Sequence, residues 1–293
     1  MTTTPTTHHP VPGPADPPRA VAEPALRIRG LTLSYDGRRV VEDLDLDVPA
    51  GKVTVVVGPN GCGKSTVLRG LARLLRPTAG SVRLVGEGRD DDVCSLRPKD
   101  FARRVALLPQ APPLPEGITV VDLVGRGRHP HHSLVRRWSS ADDGAVTRAM
   151  RATGTLDLAE RHVEELSGGQ RQRVWIALTL AQETGIVLLD EPTTYLDLAH
   201  QIDVLDLLRE LNRTRGTTVV MVLHDLNLAA RYADHVVALR DGRLVGSGAP
   251  GDLVDEAFVA RVFGLGSRVI ADPVTGSPLV VPTSTPSQSG TSS

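Results

Sequence analysis

Hydrophobic residues alternate with polar ones along the chain from Ala25 to about residue 50. The apolar residues fall mainly on alternate positions, over 26–28, 31–35, 40–41 and 44–48. A period of two is typical of strands that bury one face. Asp36-Gly37 and Ala50-Gly51 supply short turns, which favour antiparallel neighbours. The pattern therefore predicts several antiparallel strands at the start of the folded chain.

Beyond residue 51 the pattern changes to short, mostly apolar runs that are separated by segments with helical spacing. The runs cover 53–57, 81–85, 104–110, 185–189, 218–223, 236–239 and 243–245. The helical segments cover 67–75, 119–124, 145–153, 171–182, 199–214 and 226–232. Runs that are apolar throughout predict strands buried on both faces. The alternation with helices predicts an α/β fold with a mostly parallel sheet.

Both ends of the chain lack these patterns. Residues 1–24 are dense in Pro and Thr, and residues 283–293 are rich in Ser and Thr. Segments of this composition cannot bury enough apolar surface to become ordered. We therefore predict a disordered tail over 1–24 and a C-terminal extension over 271–293 that is disordered from about 283. Between the ends, residues 118–165 are predicted to be mainly helical, within a helical subdomain over about 112–175.

The composition is that of an ordinary globular protein. Of the 293 residues, 40% are hydrophobic and only 3% aromatic, so the core must consist of Val, Leu, Ile and Ala. A formal charge of −1 argues against bulk electrostatic binding to nucleic acid or anionic lipid. The sequence contains no apolar run of roughly 18 residues and no secretory signal pattern. Because two cysteines are too few for a disulfide framework, we expect a protein of the reducing cytoplasm.

A glycine-rich segment lies between a predicted strand and a predicted helix. We call it the phosphate loop, and it reads Gly58-Pro59-Asn60-Gly61-Cys62-Gly63-Lys64-Ser65-Thr66. Its glycines let consecutive backbone N–H groups point into one concavity, and the following helix adds its positive dipole end. Lys64 is placed to reach nucleotide phosphates, Ser65 to bind Mg²⁺, and Thr66 to donate to phosphate. The loop therefore predicts a nucleotide site.

Cys62 lies inside this loop at the N-terminus of the predicted helix. This setting lowers the pKa of a thiol and favours the thiolate. We therefore predict that alkylation of Cys62 blocks ATP binding and that ATP protects this thiol against alkylation. The alternative is that Cys62 is a small residue that only fills space behind the loop.

Two carboxylates follow the predicted strand over 185–189. Asp190 is placed to hold Mg²⁺, directly or through water, and Glu191 to polarise an attacking water. Because successive side chains of a strand point to opposite sides, we expect the two carboxylates to have different partners. Alone, such a carboxylate could equally cap the next helix, but the phosphate loop favours the catalytic interpretation.

A second glycine pair precedes the predicted helix over 171–182. The signature segment, Leu166-Ser167-Gly168-Gly169-Gln170, combines a hydroxyl with two flexible backbone units, which suits an anion. A plain helix cap by Ser167 is the alternative. The complete pentapeptide is more specific than a cap requires.

Together these segments resemble those of the ATP-binding cassette (ABC) ATPases, over residues 25 to about 245. The phosphate loop matches the Walker A segment, Asp190-Glu191 matches Walker B with its catalytic base, and residues 166–170 match the family signature. Tyr35 matches the aromatic residue that stacks on adenine, and Val40 lies nearby in the sequence. Gln110 matches the lid residue that senses Mg²⁺ and the membrane partner. Asp197 matches the D-loop, and His224 matches the switch histidine that contacts the γ-phosphate.

The resemblance implies a P-loop ATPase fold over 25–270, with a mostly parallel core sheet, an antiparallel β subdomain and an inserted helical subdomain. It implies ATP and Mg²⁺ as cofactors, with Glu191, His224 and Lys64 in catalysis and with Ser65, Gln110 and Asp190 at the metal. The implied assembly is a head-to-tail homodimer, in which Ser167-Gly168-Gly169-Gln170 of one subunit closes on ATP held by Lys64 of the other. The implied partners are membrane permease subunits and, indirectly, a substrate-binding lipoprotein, at the cytoplasmic face of the membrane and without nucleic acid.

A narrower resemblance, to the ATPases of bacterial iron(III)-siderophore importers, covers residues 119–138, 190–201 and 262–282. That group grades into haem and vitamin B12 uptake, so haem, cobalamin or another metal chelate is the alternative cargo. A soluble cassette protein of translation or DNA repair is a second alternative. Such proteins usually carry two cassettes or a long coiled coil, whereas this chain has one cassette and no sustained heptads.

Four arginines lie close together in the segment 119–138: Arg126, Arg128, Arg136 and Arg137. On a chain that is otherwise close to neutral, they indicate a surface for the permease. A solvated basic face is the alternative explanation. We expect the segment to contact the permease rather than the nucleotide.

Overall fold

Two sheets contain most of the strands in the described part of the chain. A computed structural model describes residues 23–86, 88–112, 116–132, 138–194 and 196–284. The strands are β1 (Pro24–Tyr35), β2 (Arg38–Pro49), β3 (Val53–Val57), β4 (Ala79–Gly86), β5 (Arg89–Asp92), β6 (Val105–Leu108), β7 (Ile186–Leu189), β8 (Thr218–Val222), β9 (His235–Arg240), β10 (Arg243–Gly248), β11 (Gly266–Ala271) and β12 (Pro278–Ser284). The α-helices are α1 (Lys64–Leu71), α2 (Pro98–Ala102), α3 (Val120–Gly125), α4 (Ser140–Ala152), α5 (Gly168–Ala181), α6 (Leu198–Arg215), α7 (Leu226–Tyr232), α8 (Pro250–Leu253) and α9 (Glu256–Phe263). Within these ranges, no helix has the length and apolar character needed to cross a bilayer.

Several predicted features lie outside the described residues. They are the tail over 1–22, Arg136-Arg137, and residues 285–293, for which the sequence predicts disorder. β1 begins at Pro24, next to the predicted start of the ATPase domain, and β12 continues through Ser284.

The larger sheet determines where the candidate site lies. Its order is β10-β9-β3-β8-β7-β6, and all neighbouring pairs are parallel except β10 with β9. Every residue of β3, β7 and β8 is buried, because hydrophobic cores cover both faces. The predicted α/β fold with a mostly parallel sheet is confirmed. Parallel strands end at the same edge, so the residues that follow them meet there.

The smaller sheet is antiparallel, in the order β2-β1-β4-β5. Its apolar residues pair on the buried face, as Leu26 of β1 does with Leu84 of β4. The predicted antiparallel strands are therefore confirmed, but β5 was not predicted because its sequence, RDDD, has no apolar position. The backbone of β5 pairs with β4, and Asp90 also pairs with both Arg27 and Arg83 at 2.7 Å.

Helix α1 connects the phosphate loop to the core of the smaller sheet. Leu68 and Leu71 are buried, as their helical spacing predicts. The helix ends at Leu71, earlier than the predicted residue 75, because Arg73 takes a φ of 60°. A residue in the left-handed region cannot continue a right-handed helix, and Leu74 is consequently 65% exposed.

Helices α3, α4 and α5 pack around a shared apolar cluster that includes Leu123, Met150 and Ile176. Two of these helices begin earlier than their apolar periodicity predicts, at Ser140 rather than 145 and at Gly168 rather than 171. Each begins with a capping box, in which a serine and a residue three positions later satisfy each other's backbone N–H groups. The N-terminus of α5 therefore carries the signature segment.

The C-terminal part contains α9 and a hairpin of β11 and β12, which the sequence pattern did not predict. Phe258 of α9 is fully buried in the larger core. The hairpin has few inward apolar residues, with Val280 the most buried, which explains its weak periodicity. Asn227 of α7 holds it, because its amide accepts from the Val280 N–H at 2.7 Å and donates to the Val280 carbonyl at 3.2 Å.

Candidate functional site

A cavity of about 520 Å³ opens at the carboxyl edge of the larger sheet. Gln110 follows β6, Glu191 follows β7 and His224 follows β8, so three strand ends contribute to it. The lining residues are Val40, Asn60, Gly61, Gly63, Lys64, Ser65, Thr66, Gln110, Glu191 and His224. The fold thus brings the phosphate loop together with the predicted base, the predicted lid residue and the predicted switch histidine.

The phosphate loop needs glycine at its two ends. Gly58 and Gly63 have φ values of 148° and 103°, in a region that other residues adopt only with strain. A side chain at Gly58 would place its Cβ 2.1 Å from the Leu239 carbonyl oxygen of β9. A side chain at Gly63 would come within 3.2 Å of the Val40 carbonyl oxygen. This close backbone packing fixes the loop at the N-terminus of α1, where the helix dipole favours an anion.

Lys64 is buried, and its ammonium group is bonded to the loop itself. Only 5% of the residue is exposed. Its Nζ donates to the carbonyl oxygens of Gly58 and Pro59, each at 2.9 Å. These bonds compensate a buried positive charge that would otherwise be costly. The ammonium therefore lies at the wall of the cavity, within reach of an anion that enters it.

Asp190 lies beside Ser65 and is 4% exposed. The Ser65 hydroxyl donates to Asp190 Oδ1 at 2.8 Å. Burial raises the pKa of the Asp190 carboxyl; the hydrogen bond from Ser65 opposes this shift, and the charge of Glu191 adds to it. Mg²⁺ usually binds through one or two carboxylates together with water and nucleotide phosphates. A hydroxyl and a carboxylate side by side fit that ion, which would also offset the buried negative charge.

Glu191 is held by three side chains. Its Oε1 lies 2.7 Å from His224 Nε2, and its Oε2 accepts from Gln110 Nε2 at 2.6 Å and from Thr194 Oγ1 at 3.1 Å. Burial by itself would raise the pKa of Glu191. The hydrogen bond and charge of His224, with the bonds from Thr194 and Gln110, outweigh burial and hold the pKa below its usual range. The carboxylate is therefore ionised at neutral pH and can orient a water.

The backbone, rather than strand alternation, separates the two carboxylates. β7 ends at Leu189, so Asp190 and Glu191 both lie beyond the strand. Glu191 takes a φ of 54°, a left-handed conformation that costs a non-glycine residue on the order of 1–3 kcal/mol. The expectation that the carboxylates have different partners is met, but the reason given for it, alternation along a strand, is wrong.

Thr194 is a site residue that the sequence analysis did not single out. Its backbone N–H donates to the Glu191 carbonyl at 3.2 Å, and its hydroxyl reaches the Glu191 carboxylate. Both contacts arise because the chain turns back immediately after Glu191. The only available sequence signal was a hydroxyl residue three positions after a carboxylate, which is common in turns and at helix starts.

The predicted adenine contact lies apart from the cavity. Tyr35 is 37% exposed, and its hydroxyl accepts a hydrogen bond from Arg69 of α1 at 3.1 Å. Of the two residues predicted to lie near adenine, Val40 lines the cavity and Tyr35 does not. The stacking role of Tyr35 stays a prediction.

The signature segment and Asp197 also lie outside the lining of the cavity. Ser167 Oγ accepts from the Gln170 N–H at 3.2 Å, so the helix-cap alternative is realised in the isolated chain. Asp197 likewise caps α6 by accepting from the His200 N–H at 2.9 Å. One copy of the chain therefore does not assemble all the predicted nucleotide contacts.

The expectation of a reactive thiolate at Cys62 is wrong. The residue is 5% exposed. Burial raises the pKa of the Cys62 thiol, and this effect exceeds the opposing charge and backbone hydrogen bond of Lys64. The helix N-terminus was expected to dominate, but the thiol packs behind the loop and loses contact with water. The alternative, a small space-filling residue, is the better description.

The expectation of a surface cluster of four arginines is wrong at Arg128. This side chain is 5% exposed, and its Nε donates to the fully buried Asp142 at 2.9 Å. Its Nη1 donates to Glu183 at 2.9 Å. Arg128 therefore connects the region after α3 to α4 and to the end of α5, whereas Arg126 is exposed.

Comparison with known proteins gives a consistent assignment. The family model described as "ABC transporter" matches residues 41–194. The chain is 55% identical to the achromobactin transport ATP-binding protein of Dickeya dadantii (strain 3937), over 88% of this chain and 94% of that protein. It is 53% identical to the ferric enterobactin transport ATP-binding protein of Escherichia coli (strain K12), over 89% and 96% of the two chains.

A solved structure extends the likeness to three dimensions. It is a dimeric ATP-binding cassette in a post-hydrolysis state, bound to ADP and Pi. That structure aligns with a TM-score of 0.66 at 27% identity, and the alignment covers 76% of this chain and 98% of that one.

Proposed function

This chain belongs to the ATPase subunits of the ABC transporter family, and we propose that it energises the import of ferric siderophores across a bacterial cytoplasmic membrane. The cargo assignment rests on one observation: the sequence is more than 50% identical to ATP-binding proteins of achromobactin and of ferric enterobactin transport. Haem, cobalamin or another metal chelate is the alternative. Because the ATPase subunit need not touch the cargo, this part of the proposal rests on relatedness rather than on the cavity.

The arrangement around Glu191 supports hydrolysis by direct attack of water on the γ-phosphate. Lys64 would exchange its bonds to the loop carbonyls for the β- and γ-phosphate oxygens and offset their charge. Glu191 would orient the water and accept its proton, while His224 contacts the phosphoryl group. Ser65 and Asp190, with Gln110, would hold Mg²⁺, which when bound neutralises phosphate charge.

The position of the signature segment supports a site shared between two copies of the chain. In one copy, the segment and Asp197 lie outside the lining of the cavity. We therefore propose a head-to-tail homodimer, in which the signature segment of one copy closes on ATP that Lys64 of the other copy holds. The solved cassette to which this chain is similar is dimeric, which supports the formation of a dimer.

An apolar groove of about 280 Å³ supports a contact with the permease. It is lined by Leu107, Leu108, Pro109, Pro112, Leu123, Arg126, Trp175, Leu178 and Thr179. We propose that it contacts a permease subunit at the inner face of the membrane. Gln110 lies between two of the lining prolines and bonds to Glu191, so an occupant of the groove adjoins a residue that holds the base.

Uptake in cells tests the proposed cargo. In a bacterial host that lacks its own siderophore ATPase, co-expression of this chain with its permease and binding protein should restore uptake of a radiolabelled ferric siderophore. Lys64→Ala should not restore it. If the wild-type chain supports uptake of haem or cobalamin but not of any ferric siderophore, the cargo assignment is wrong and the ATPase assignment remains.

Charge reversal at the groove tests the permease contact. Arg126→Glu should lower transport and co-purification with the permease by about tenfold, because it places a negative charge at the rim of an apolar interface. ATP affinity should not change, since Arg126 does not line the nucleotide cavity. Arg151→Glu, at an exposed position on α4, is the matched control. Equal transport and assembly by both variants contradict this docking site.

A further inference from the structure

Helix α5, which begins with the signature segment, is bonded to the turn that carries Glu191. Gln172 lies in the second turn of α5, and its Nε2 donates to the Pro192 carbonyl at 2.8 Å. Pro192 is buried and directly follows Glu191. A side-chain amide thus holds the carbonyl of the residue that follows the predicted base.

A second observation concerns the start of α5 and the helix that follows this turn. A Cβ on Gly169 of α5 would lie 3.4 Å from the ring of His200, which is ordinary van der Waals distance. The His200 ring nitrogen Nδ1 lies 2.7 Å from Asp197 Oδ1. The start of α5 therefore lies near the start of α6, beyond the turn that carries Glu191.

We propose that Gln172 is a positioning residue that couples the signature segment to Glu191 within one subunit. This inference rests on the proposed head-to-tail dimer. There, the signature segment of a subunit serves its neighbour's nucleotide, whereas Glu191 serves the subunit's own. A shift of α5 that follows ATP binding at the neighbouring site is passed through Gln172 to the Pro192 carbonyl, and so to the carboxylate.

The strained backbone of Glu191 makes the position of its carboxylate sensitive to the bond between Gln172 and Pro192. Glu191 has a φ of 54°, and a strained conformation of this kind persists only where its surroundings fix it. The bonds from Thr194 hold it from within the turn, whereas Gln172 holds it from another helix. Loss of the Gln172 bond should therefore let the turn relax and misplace the carboxylate without altering the phosphate loop.

The test replaces Gln172 with methionine, which keeps the length of the side chain but cannot donate a hydrogen bond. The kcat of ATP hydrolysis should fall by about tenfold to a hundredfold, as expected for a misplaced catalytic group. KM should change little, and the Hill coefficient for ATP should fall toward 1. Gln182→Met is the matched control, because Gln182 donates to the backbone carbonyls of Ala102 and Val105 from the other end of α5.

Two further measurements separate the possible outcomes. Gln172→Glu also lacks the amide donor and serves in place of the methionine variant if urea unfolding shows that variant to be misfolded. ATP-driven dimer formation is measured by solution mass in the Glu191→Gln background. If both Gln172 variants retain the kcat and Hill coefficient of the control while ATP still drives dimerisation, Gln172 has no positioning role and the proposed function stands. If ATP drives no dimerisation, the shared site is wrong and this inference fails with it.

Discussion

Replacing Glu191 with glutamine is expected to lower the turnover of ATP by roughly 10²–10⁴-fold while preserving ATP affinity. Glutamine keeps the shape of the side chain and can still accept from Gln110 and Thr194, which both bond to Oε2 in the wild type. It removes the negative charge that would orient a water and take its proton. ATP that binds but is not hydrolysed should keep two subunits together, which solution mass and phosphate release will measure.

Lys64→Ala provides the contrast, because it removes the charge that would contact the phosphates. We expect this variant to lose nucleotide affinity itself and to form no ATP-dependent dimer. Glu191→Gln and Lys64→Ala therefore separate hydrolysis from binding. Near wild-type turnover by Glu191→Gln contradicts its role as the base, and a monomeric complex with bound ATP contradicts the shared site.

Replacing Asp142 with alanine is expected to lower the free energy of unfolding by about 3 kcal/mol. The side chain is fully buried and accepts from Arg128 Nε at 2.9 Å and from Ser139 Oγ at 2.7 Å. Among the described residues, removing it leaves the buried Arg128 with the partly exposed Glu183 as its one charged partner. This loss is at the lower end of the values that are typical when one partner of a buried ion pair is removed. We expect the lower end because the partly exposed Glu183 keeps the cluster in contact with solvent.

Urea unfolding measures this loss, and Arg148→Ala is the control. Arg148 also pairs with Glu183, at 3.0 Å, but its side chain is 52% exposed. Exposed ion pairs contribute about 0–1 kcal/mol, so the control should unfold close to the wild type. Equal losses in the two variants contradict a special role for the buried pair.

The buried pair of Asp142 and Arg128 also predicts how the stability of the protein changes with pH. Burial would raise the pKa of Asp142, but the hydrogen bonds from Ser139 and Arg128 outweigh it and hold the pKa well below its usual value of 3.8. A carboxyl with a lowered pKa in the folded state stabilises the protein above its unfolded-state pKa, and this stabilisation is lost as the pH falls. The stability difference between the wild type and Asp142→Asn should therefore be complete at pH 7 and shrink below about pH 4.

Local sequence patterns predicted the parts of the fold whose stability comes from apolar burial. The strands before the phosphate loop, before Asp190 and before His224 are almost entirely apolar, with one threonine each in the first and the last. β3, β7 and β8 appear where these runs lie. Because parallel strands share one edge, the meeting of Lys64, Glu191 and His224 at one cavity also follows from the sequence.

Features that depend on long-range pairing or on burial did not follow from the sequence. β5 has no apolar periodicity; its backbone pairs with β4, and its Asp90 bonds to arginines on β1 and β4. Cys62 was misjudged because a thiol at a helix N-terminus and a thiol buried behind a loop have opposite pKa shifts, and only coordinates distinguish them. Arg128 resembled its exposed neighbour Arg126 until its buried partner on α4, Asp142, was known.

An anion that binds Lys64 must compete with the two loop carbonyls to which the ammonium group already donates. An incoming anion must replace two charge-assisted hydrogen bonds at 2.9 Å, each contributing about 1.5–3 kcal/mol. A monovalent ion such as chloride brings a single charge and gains little from that exchange. A triphosphate brings several oxygens and more than one negative charge, so it can displace the carbonyls and still contact the loop. We therefore expect the nucleotide-free loop to bind abundant monovalent anions only weakly.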